Sequence, residues 1–388
     1  MTDVTRQFLF QTTPRIRFGI GALESLSGEL KRFAPATVLI VSDPGVIAAG
    51  IAGRVQDLAA STGALTHIFG AVEPDPRIET AEACARLAAE VDADLIIGVG
   101  GGSAMDIAKV ASILARTEQP IATMFGVDLV KSPGLPLILI PTTAGTGSEV
   151  THIAILSDET EHLKKGIVSP FLFPAVAIND PALSVGSPQS VTAASGMDAL
   201  LHAVEAFTSI NASDVTDTLA KQAIRLISQN LRSAYANGSN IAARAAMLEG
   251  SMLAGIAFAN AGVTAVHAFA YPIGAEFHIP HGVANSIMMG PVLTFNLVGN
   301  LQKFAEVAGL LGAEISRLSQ RDQAFLAIQT MRLLAEDIRI PKNLADFGIR
   351  EEHLPGLADG VLKVTRLLAN NPRFLSRDDA IRIYREVL

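Results

Sequence analysis

Tryptophan is absent from the 388 residues, tyrosine occurs three times and cysteine once. The lone cysteine, Cys84, excludes an intramolecular disulfide and any all-cysteine metal site. A chain so built is expected in the reducing cytoplasm. Charge is scarce as well: 18% of residues are charged against 49% hydrophobic, which excludes a disordered chain and allows sizeable cores. Bases are outnumbered, 30 Lys and Arg against 38 Asp and Glu, for a formal net charge of −8. That balance excludes a general role in binding nucleic acid. Residues 1–11 hold Asp3 and Arg6 and no long apolar run, so no secretory signal is expected there.

Residues 250–275 lack Asp, Glu, Lys and Arg, a length that would span a bilayer. The stretch contains Asn260, Thr264, His267, Tyr271 and Pro272, consists largely of Ala and Gly, and is flanked by Glu249 and Glu276. No basic residue adjoins either end. It reads as one helix buried inside a domain, and no membrane partner is expected.

What is present divides into two textures, and the length fits two domains better than one. Apolar runs at 37–43 (TVLIVSD), 64–69, 94–99 (DLIIGV) and 136–140 (PLILI) predict buried strands. Helical patterns at 46–60, 79–91 and 103–115 lie among them. Such repetition implies right-handed crossovers and a mainly parallel sheet. Segments near 151–157 and 165–170 predict a hairpin, and 176–179 a last strand. Beyond Asp180 helical periodicity dominates to Leu388. Ser187-Pro188 reads as a helix start, with the serine as cap. The expected architecture is an α/β domain over 1–183 and an all-helical domain over 184–388, with a ligand cleft between them.

Gly98-Val99-Gly100-Gly101-Gly102-Ser103 follows a predicted strand and opens a predicted helix. Glycines let the backbone approach a ligand, and free amides with the helix dipole favour a phosphate there. Ser103 occupies the last glycine position of the ordinary dinucleotide fingerprint, so that label does not apply. Asp43, at the end of the first strand pattern, suits a ribose diol and would repel a 2′-phosphate, favouring NAD over NADP. Asp43-Pro44-Gly45 is equally good turn chemistry. The loop Pro141-Thr142-Thr143-Ala144-Gly145-Thr146-Gly147-Ser148 offers hydroxyls that could line a cofactor.

Four of the eight histidines fall between 202 and 281. Asp198 and His202, four apart, share one helix face. His267 lies in the uncharged segment, and His281 in the expected loop 277–282. Three imidazoles and one carboxylate suit Fe(II) or Zn(II) and leave room for a substrate oxygen. Each has a plainer reading taken singly: an intrahelical pair, a core histidine, a surface loop residue. The combination, on one apolar helical domain beside a nucleotide turn, points to a metal site.

With these motifs on view, the sequence resembles the iron-containing (group III) alcohol dehydrogenase family, within the superfamily that also holds glycerol dehydrogenase and dehydroquinate synthase. The resemblance covers nearly the whole chain. It is carried by Gly100-Gly101-Gly102-Ser103-Ala104-Met105-Asp106, by Pro141 to Thr151, by Gly196 to Glu205 and by His267 to Gly282. It implies that Asp198, His202, His267 and His281 ligate the metal, iron before zinc. It implies that Gly101, Gly102 and Ser103 form the pyrophosphate turn and that Gly100 and Asp106 belong to the cofactor site. Thr142, Thr143, Thr146 and Ser148 would line the cofactor, Asp43 would disfavour a 2′-phosphate, Lys164 would reach the ribose and Leu183 would give an apolar contact. Phe258 would belong to the substrate pocket. The implied activity is NAD-dependent interconversion of a small alcohol with its aldehyde or ketone, in a homodimer. Asp198 is a ligand in this reading, not a general base.

One position departs from the family pattern. Many members carry a histidine four residues after His267, proposed to relay the substrate proton, and here Tyr271 stands there. A phenol of pKa about 10 is a poorer shuttle near neutrality than an imidazole of about 6.5. His278 is one substitute, a route through water and ribose hydroxyls another, and Tyr271 then becomes a pocket wall. Two other functions fit the fold. A carbon–oxygen lyase would need a basic site for a phosphorylated acid, and no dense Lys/Arg cluster surrounds the ligand motifs. A non-catalytic nucleotide-binding protein would not need the full ligand set.

Overall fold

A computed structural model describes residues 7–161 and 163–388. The expectation about a secretory signal concerns in part residues 1–6, outside the described residues. The chain forms two compact units, Thr12–Ser187 and a second made of Pro188–Leu388 together with residues 7–11.

In the first unit the strands are β1 (Ile16–Phe18), β2 (Thr37–Val41), β3 (Leu65–Phe69), β4 (Leu95–Gly100), β5 (Gly126–Val127), β6 (Leu137–Pro141), β7 (Ile153–Asp158), β8 (Leu163–Val168) and β9 (Val176–Asn179). Six form one sheet in the order β1-β9-β6-β4-β2-β3, and every pairing in it is parallel. β7 and β8 form the expected hairpin, and β5 joins β8 in a separate small sheet. The α/β class with a mainly parallel sheet is therefore as expected.

The reason lies in the apolar runs. Strands covered on both faces read as continuous hydrophobic sequence rather than alternation. Leu39, Val41 and Ile96 enter the core on one face with the helices Ile78–Glu90 and Gly102–Leu114. Val38, Ile40 and Ile97 enter the core on the other face with Leu23, Leu30 and Val55. Each such side chain contributes about 1.5–3 kcal/mol by leaving water.

The expected helix over 46–60 is two helices, Pro44–Ala48 and Ile51–Ala60, because Gly50 sits between them at φ +76°. β1 and β5 carried no sequence signal, being three and two residues long.

The second unit is all helix among its described residues. Its main elements near the site are Gln189–Thr208, Asp214–Ala236, Ile241–Ala261, Ala265–Phe277 and His281–Asn296. Residues 250–275 are not one helix. The chain breaks at Gly262, whose φ of +76° suits glycine, and restarts at Ala265. Ile241–Ala261 and the segment His281–Gly299 are long and apolar enough to cross a membrane by length and composition alone, with 56% and 78% of their apolar windows buried inside the molecule. Ser187 is not the cap of the first long helix: Pro188 is, and no side chain caps it. The Ser187 hydroxyl donates to the Thr142 carbonyl at 3.4 Å.

Candidate active site

The helical unit brings several buried polar side chains together at one place. Asp198 and His202 lie one turn apart on Gln189–Thr208, both buried. His267 enters from the first turn of Ala265–Phe277. His281 is the first residue of His281–Asn296, not a loop residue, since Pro280 ends the extended segment and starts the helix. Gly282 brings this helix in: a Cβ there would lie 2.2 Å from the Ala194 carbonyl oxygen. Only a glycine lets the two backbones approach so closely.

Asp198, His267 and His281 each offer a ligand atom, and the three atoms lie within 4.8 Å of one another. Asp198 Oδ1 is 3.5 Å from His267 Nε2 and 3.8 Å from His281 Nε2, and Asp198 Oδ2 is 3.9 Å from His202 Nδ1. Ligand bonds of about 2.0–2.2 Å place neighbouring donors of a tetrahedral site about 3.4 Å apart, so this spacing suits an ion in the middle. His267 Nε2 is buried and makes no hydrogen bond, so a metal there would engage an otherwise unsatisfied atom. The His202 ring stacks on His267, centroids 4.5 Å apart, and on Phe258 at 4.4 Å.

Electrostatics agree. Burial would raise the Asp198 carboxyl, but His202, His281 and His267 outweigh it and hold the group well below the usual carboxylate range. Burial would lower His267, but the carboxylates of Glu205 and Asp198 push it up to about 9.

Two further residues belong to this site, and neither stood out in the sequence. Glu205 is fully buried and pairs with His267 Nδ1. Asn285 donates to Asp198 Oδ1 at 2.8 Å and lies 3.1 Å from His281 Nε2. The spacing 198, 202, 205 marks one helix stripe, and 281 to 285 is one turn, so both had a periodic signal.

Tyr271 is buried, with its ring centroid 5.9 Å from that of His281. His278 is exposed, in the left-handed conformation (φ +53°) at the end of the same helix.

In the sheet unit, β4 runs into Gly102–Leu114 through Gly101, which adopts extended backbone as the helix cap. Gly102 and Ser103 thus present first-turn amides, which lack intrahelical acceptors. Gly100 has φ +151°, and a Cβ there would lie 3.0 Å from Asp43 Oδ2. A Cβ on Gly102 would lie 2.6 Å from Thr146 Cγ2, and one on Gly101 3.5 Å from Thr143 Oγ1. Thr142 N donates to the Gly100 carbonyl. The hydroxyl loop therefore lies against the glycine turn. Asp43 caps the helix Pro44–Ala48, accepting from Val46 N at 3.0 Å.

Three positions have other engagements. Lys164 Nζ forms an ion pair with Asp75. Leu183 is packed in the sheet core. Ser148 Oγ donates to Asp106 Oδ1 at 2.6 Å and accepts from Lys109 Nζ at 2.8 Å. Lys109, fully buried and unforeseen, also donates to Thr151 and to the Ile153 carbonyl. Burial pushes its ammonium down to about 8, against the pull of Asp106 and Glu149. Burial pushes neighbouring Glu149 up to about 7, partly offset by Lys109. Lys109 follows Asp106 by three residues, a helix spacing that was legible.

A parallel sheet with a glycine turn at a helix start, and a helical unit that gathers Asp198, His267 and His281, define a nucleotide-binding type of fold with a cluster able to hold a metal. Comparison with known proteins specifies it. Residues 13–181 match the family model for iron-containing alcohol dehydrogenase, and residues 192–388 the C-terminal model of the Fe-containing alcohol dehydrogenase family. The chain is 42% identical to long-chain-alcohol dehydrogenase 1 of Geobacillus thermodenitrificans over 96% of its length and 94% of that protein's. It is 38% identical to 1,3-propanediol oxidoreductase of known crystal structure, with a TM-score of 0.96 over 99% of this chain and all of that one. It is 30% identical to sulfoacetaldehyde reductase of Bifidobacterium kashiwanohense, solved with NAD+, with a TM-score of 0.86 over 98% and 99% of the two chains. The chain belongs to the iron-containing alcohol dehydrogenase family. It is an NAD- and metal-dependent oxidoreductase that interconverts an alcohol and its carbonyl compound.

Proposed function

We propose that the metal is iron(II), held by Asp198, His202, His267 and His281, and that the substrate is a short primary alcohol or aldehyde. The buried His267 Nε2, 3.5 Å from Asp198 Oδ1, carries the metal part of this reading, and the family carries iron. Bound there, iron supplies Lewis acidity toward a substrate oxygen, while the nicotinamide exchanges the hydride. The protein's residues do the rest. The histidines around it hold the Asp198 carboxyl well below the usual carboxylate range, which suits a negatively charged ligand. Phe258 and Tyr271, flat and buried beside the histidines, wall the apolar side of the substrate site and exclude water. His278, exposed at the end of the His267 helix, is the imidazole assigned to proton exchange with solvent, in place of the phenol of Tyr271.

In the sheet unit, Gly101, Gly102 and Ser103 offer amides to the pyrophosphate, and Gly100 and Asp106 shape the turn. Thr142, Thr143 and Thr146 line the cofactor, with Ser148 bracing their loop. Asp43 accepts from the ribose diol and repels a 2′-phosphate. Lys164 reaches the ribose by exchanging its Asp75 partner, and Leu183 gives the apolar contact. The two units, taken as 1–183 for NAD and 184–388 for metal and substrate, serve one reaction. The enzyme works in the cytoplasm as a homodimer. Exposed Phe18 and Ile20, at the edge strand β1, support an interface on the sheet unit.

The test is anaerobic purification, determination of bound iron and zinc, and NADH oxidation against short aldehydes. One iron per chain with turnover is expected. NAD binding without metal, and no turnover after iron(II) or zinc(II) is restored, would overturn the reading.

A further inference from the structure

We propose that Glu205 is a positioning residue: it fixes the proton of His267 on Nδ1 and so aims the Nε2 lone pair at the metal. The inference rests on the metal reading above and adds a role for a residue outside the ligand set. Glu205 is fully buried, on the same stripe of Gln189–Thr208 as Asp198 and His202. Its two oxygens have separate tasks. Oε1 accepts from Thr264 N at 3.1 Å, from the Thr264 hydroxyl at 2.5 Å and from Val266 N at 2.8 Å. These donors surround the start of the Ala265–Phe277 helix, whose first amides have no partner within the helix. Oε2 meets His267 Nδ1.

An ionised carboxylate only accepts hydrogen bonds. Nδ1 must therefore carry the proton, and the neutral ring keeps its lone pair on Nε2. That atom is the buried one with no hydrogen-bond partner, 3.5 Å from Asp198 Oδ1. One side chain thus anchors the helix that carries His267 and sets which of its nitrogens can ligate. The opposite tautomer would aim an N–H at the place of the ion.

Glu205→Gln separates this role from a merely structural one. The amide keeps the size, and its carbonyl can still accept from Thr264 and Val266. Its NH2 then faces Nδ1, which must accept, and the proton moves to Nε2. Turning the amide over would set NH2 against three donors. Thr264→Val is the companion variant, since it removes one donor to Oε1 and leaves Oε2 on His267.

The measurements are zinc affinity by chelator competition, the visible spectrum of the cobalt(II)-loaded enzyme, and melting of the metal-free proteins. We expect Glu205→Gln to melt near the wild type yet bind zinc about 10–100-fold more weakly, with an altered cobalt spectrum. Thr264→Val should lower the melting temperature and leave zinc affinity unchanged. Glu205→Gln with wild-type affinity and spectrum would overturn the inference. Should that variant not fold, 15N spectra of histidine-labelled, zinc-loaded wild type decide: a protonated, pyrrole-type Nδ1 at His267 is expected, and a pyridine-type Nδ1 overturns it. A wild type that binds neither zinc nor cobalt would instead overturn the metal reading beneath it.

Discussion

Glu149 shows how a single buried acid ties stability to pH. The folded state favours its neutral form, with a pKa pushed up to about 7 from the ordinary glutamate value of 4.5. Between those values the folded protein holds a proton that the unfolded chain has released. Stability therefore falls as pH rises through this window, by up to about 3 kcal/mol from this group. Glu149→Gln cannot titrate. Melting curves from pH 5 to 7.5 should show the wild type losing stability relative to the variant, and parallel curves would refute the assignment. Lys109, pushed down to about 8, acts only above that pH, where its contribution to stability rises until the unfolded lysine also loses its proton. At the same scale, Asp43→Gly removes the carboxylate that faces the turn. NADP should then gain on NAD by tenfold or more in kcat/KM, and an unchanged ratio would assign Asp43 to capping Pro44–Ala48 alone.

The elements were legible wherever burial is two-sided or spacing is regular. The central strands announced themselves as TVLIV, LIIGVG and LILIP, with every residue buried. The cluster of Asp198, His267 and His281 was legible because histidines are rare and four of the eight fall between 202 and 281. Pairings set by tertiary contact were not legible. β1 is three residues with Arg17 at its centre, and only β9 makes it a strand. Gly50 and Gly262 break what periodicity reads as continuous helices, since their backbone angle is not a property of the apolar pattern. His281 was expected in a loop over 277–282; the structure uses Pro280 as a helix start and Gly282 as a close contact. Glu205 was hidden because its partners, Thr264 and His267, are about 60 positions away. Gly282→Val tests this scale. Its side chain would press on the Ala194 backbone, costing about 1–3 kcal/mol, and would shift the helix carrying His281. Lower melting temperature with weaker zinc binding is expected. A variant of full affinity would mean His281 is held by other contacts.

At the scale of the whole molecule, two units carry complementary chemistry. The sheet unit supplies amides, hydroxyls and Asp43. The helical unit supplies a carboxylate and two imidazoles within reach of one ion, with His202 stacked beside them. A ligand that binds only the folded protein stabilises it by mass action, about 4 kcal/mol at a thousandfold excess over Kd. Stripping the metal should therefore lower the melting temperature, and adding back zinc or iron(II) should restore it. No change on stripping would mean that the cluster holds no metal in the folded protein.

The most direct measurement pairs metal content with turnover in His267→Ala. The substitution removes a buried nitrogen that lies 3.5 Å from Asp198 Oδ1. Beside wild type purified in the same anaerobic way, the variant should fold, bind NAD, contain less than a tenth of the metal and lose aldehyde reduction by at least a thousandfold. A variant that keeps both its metal and its turnover would contradict the four-ligand site on which the account stands.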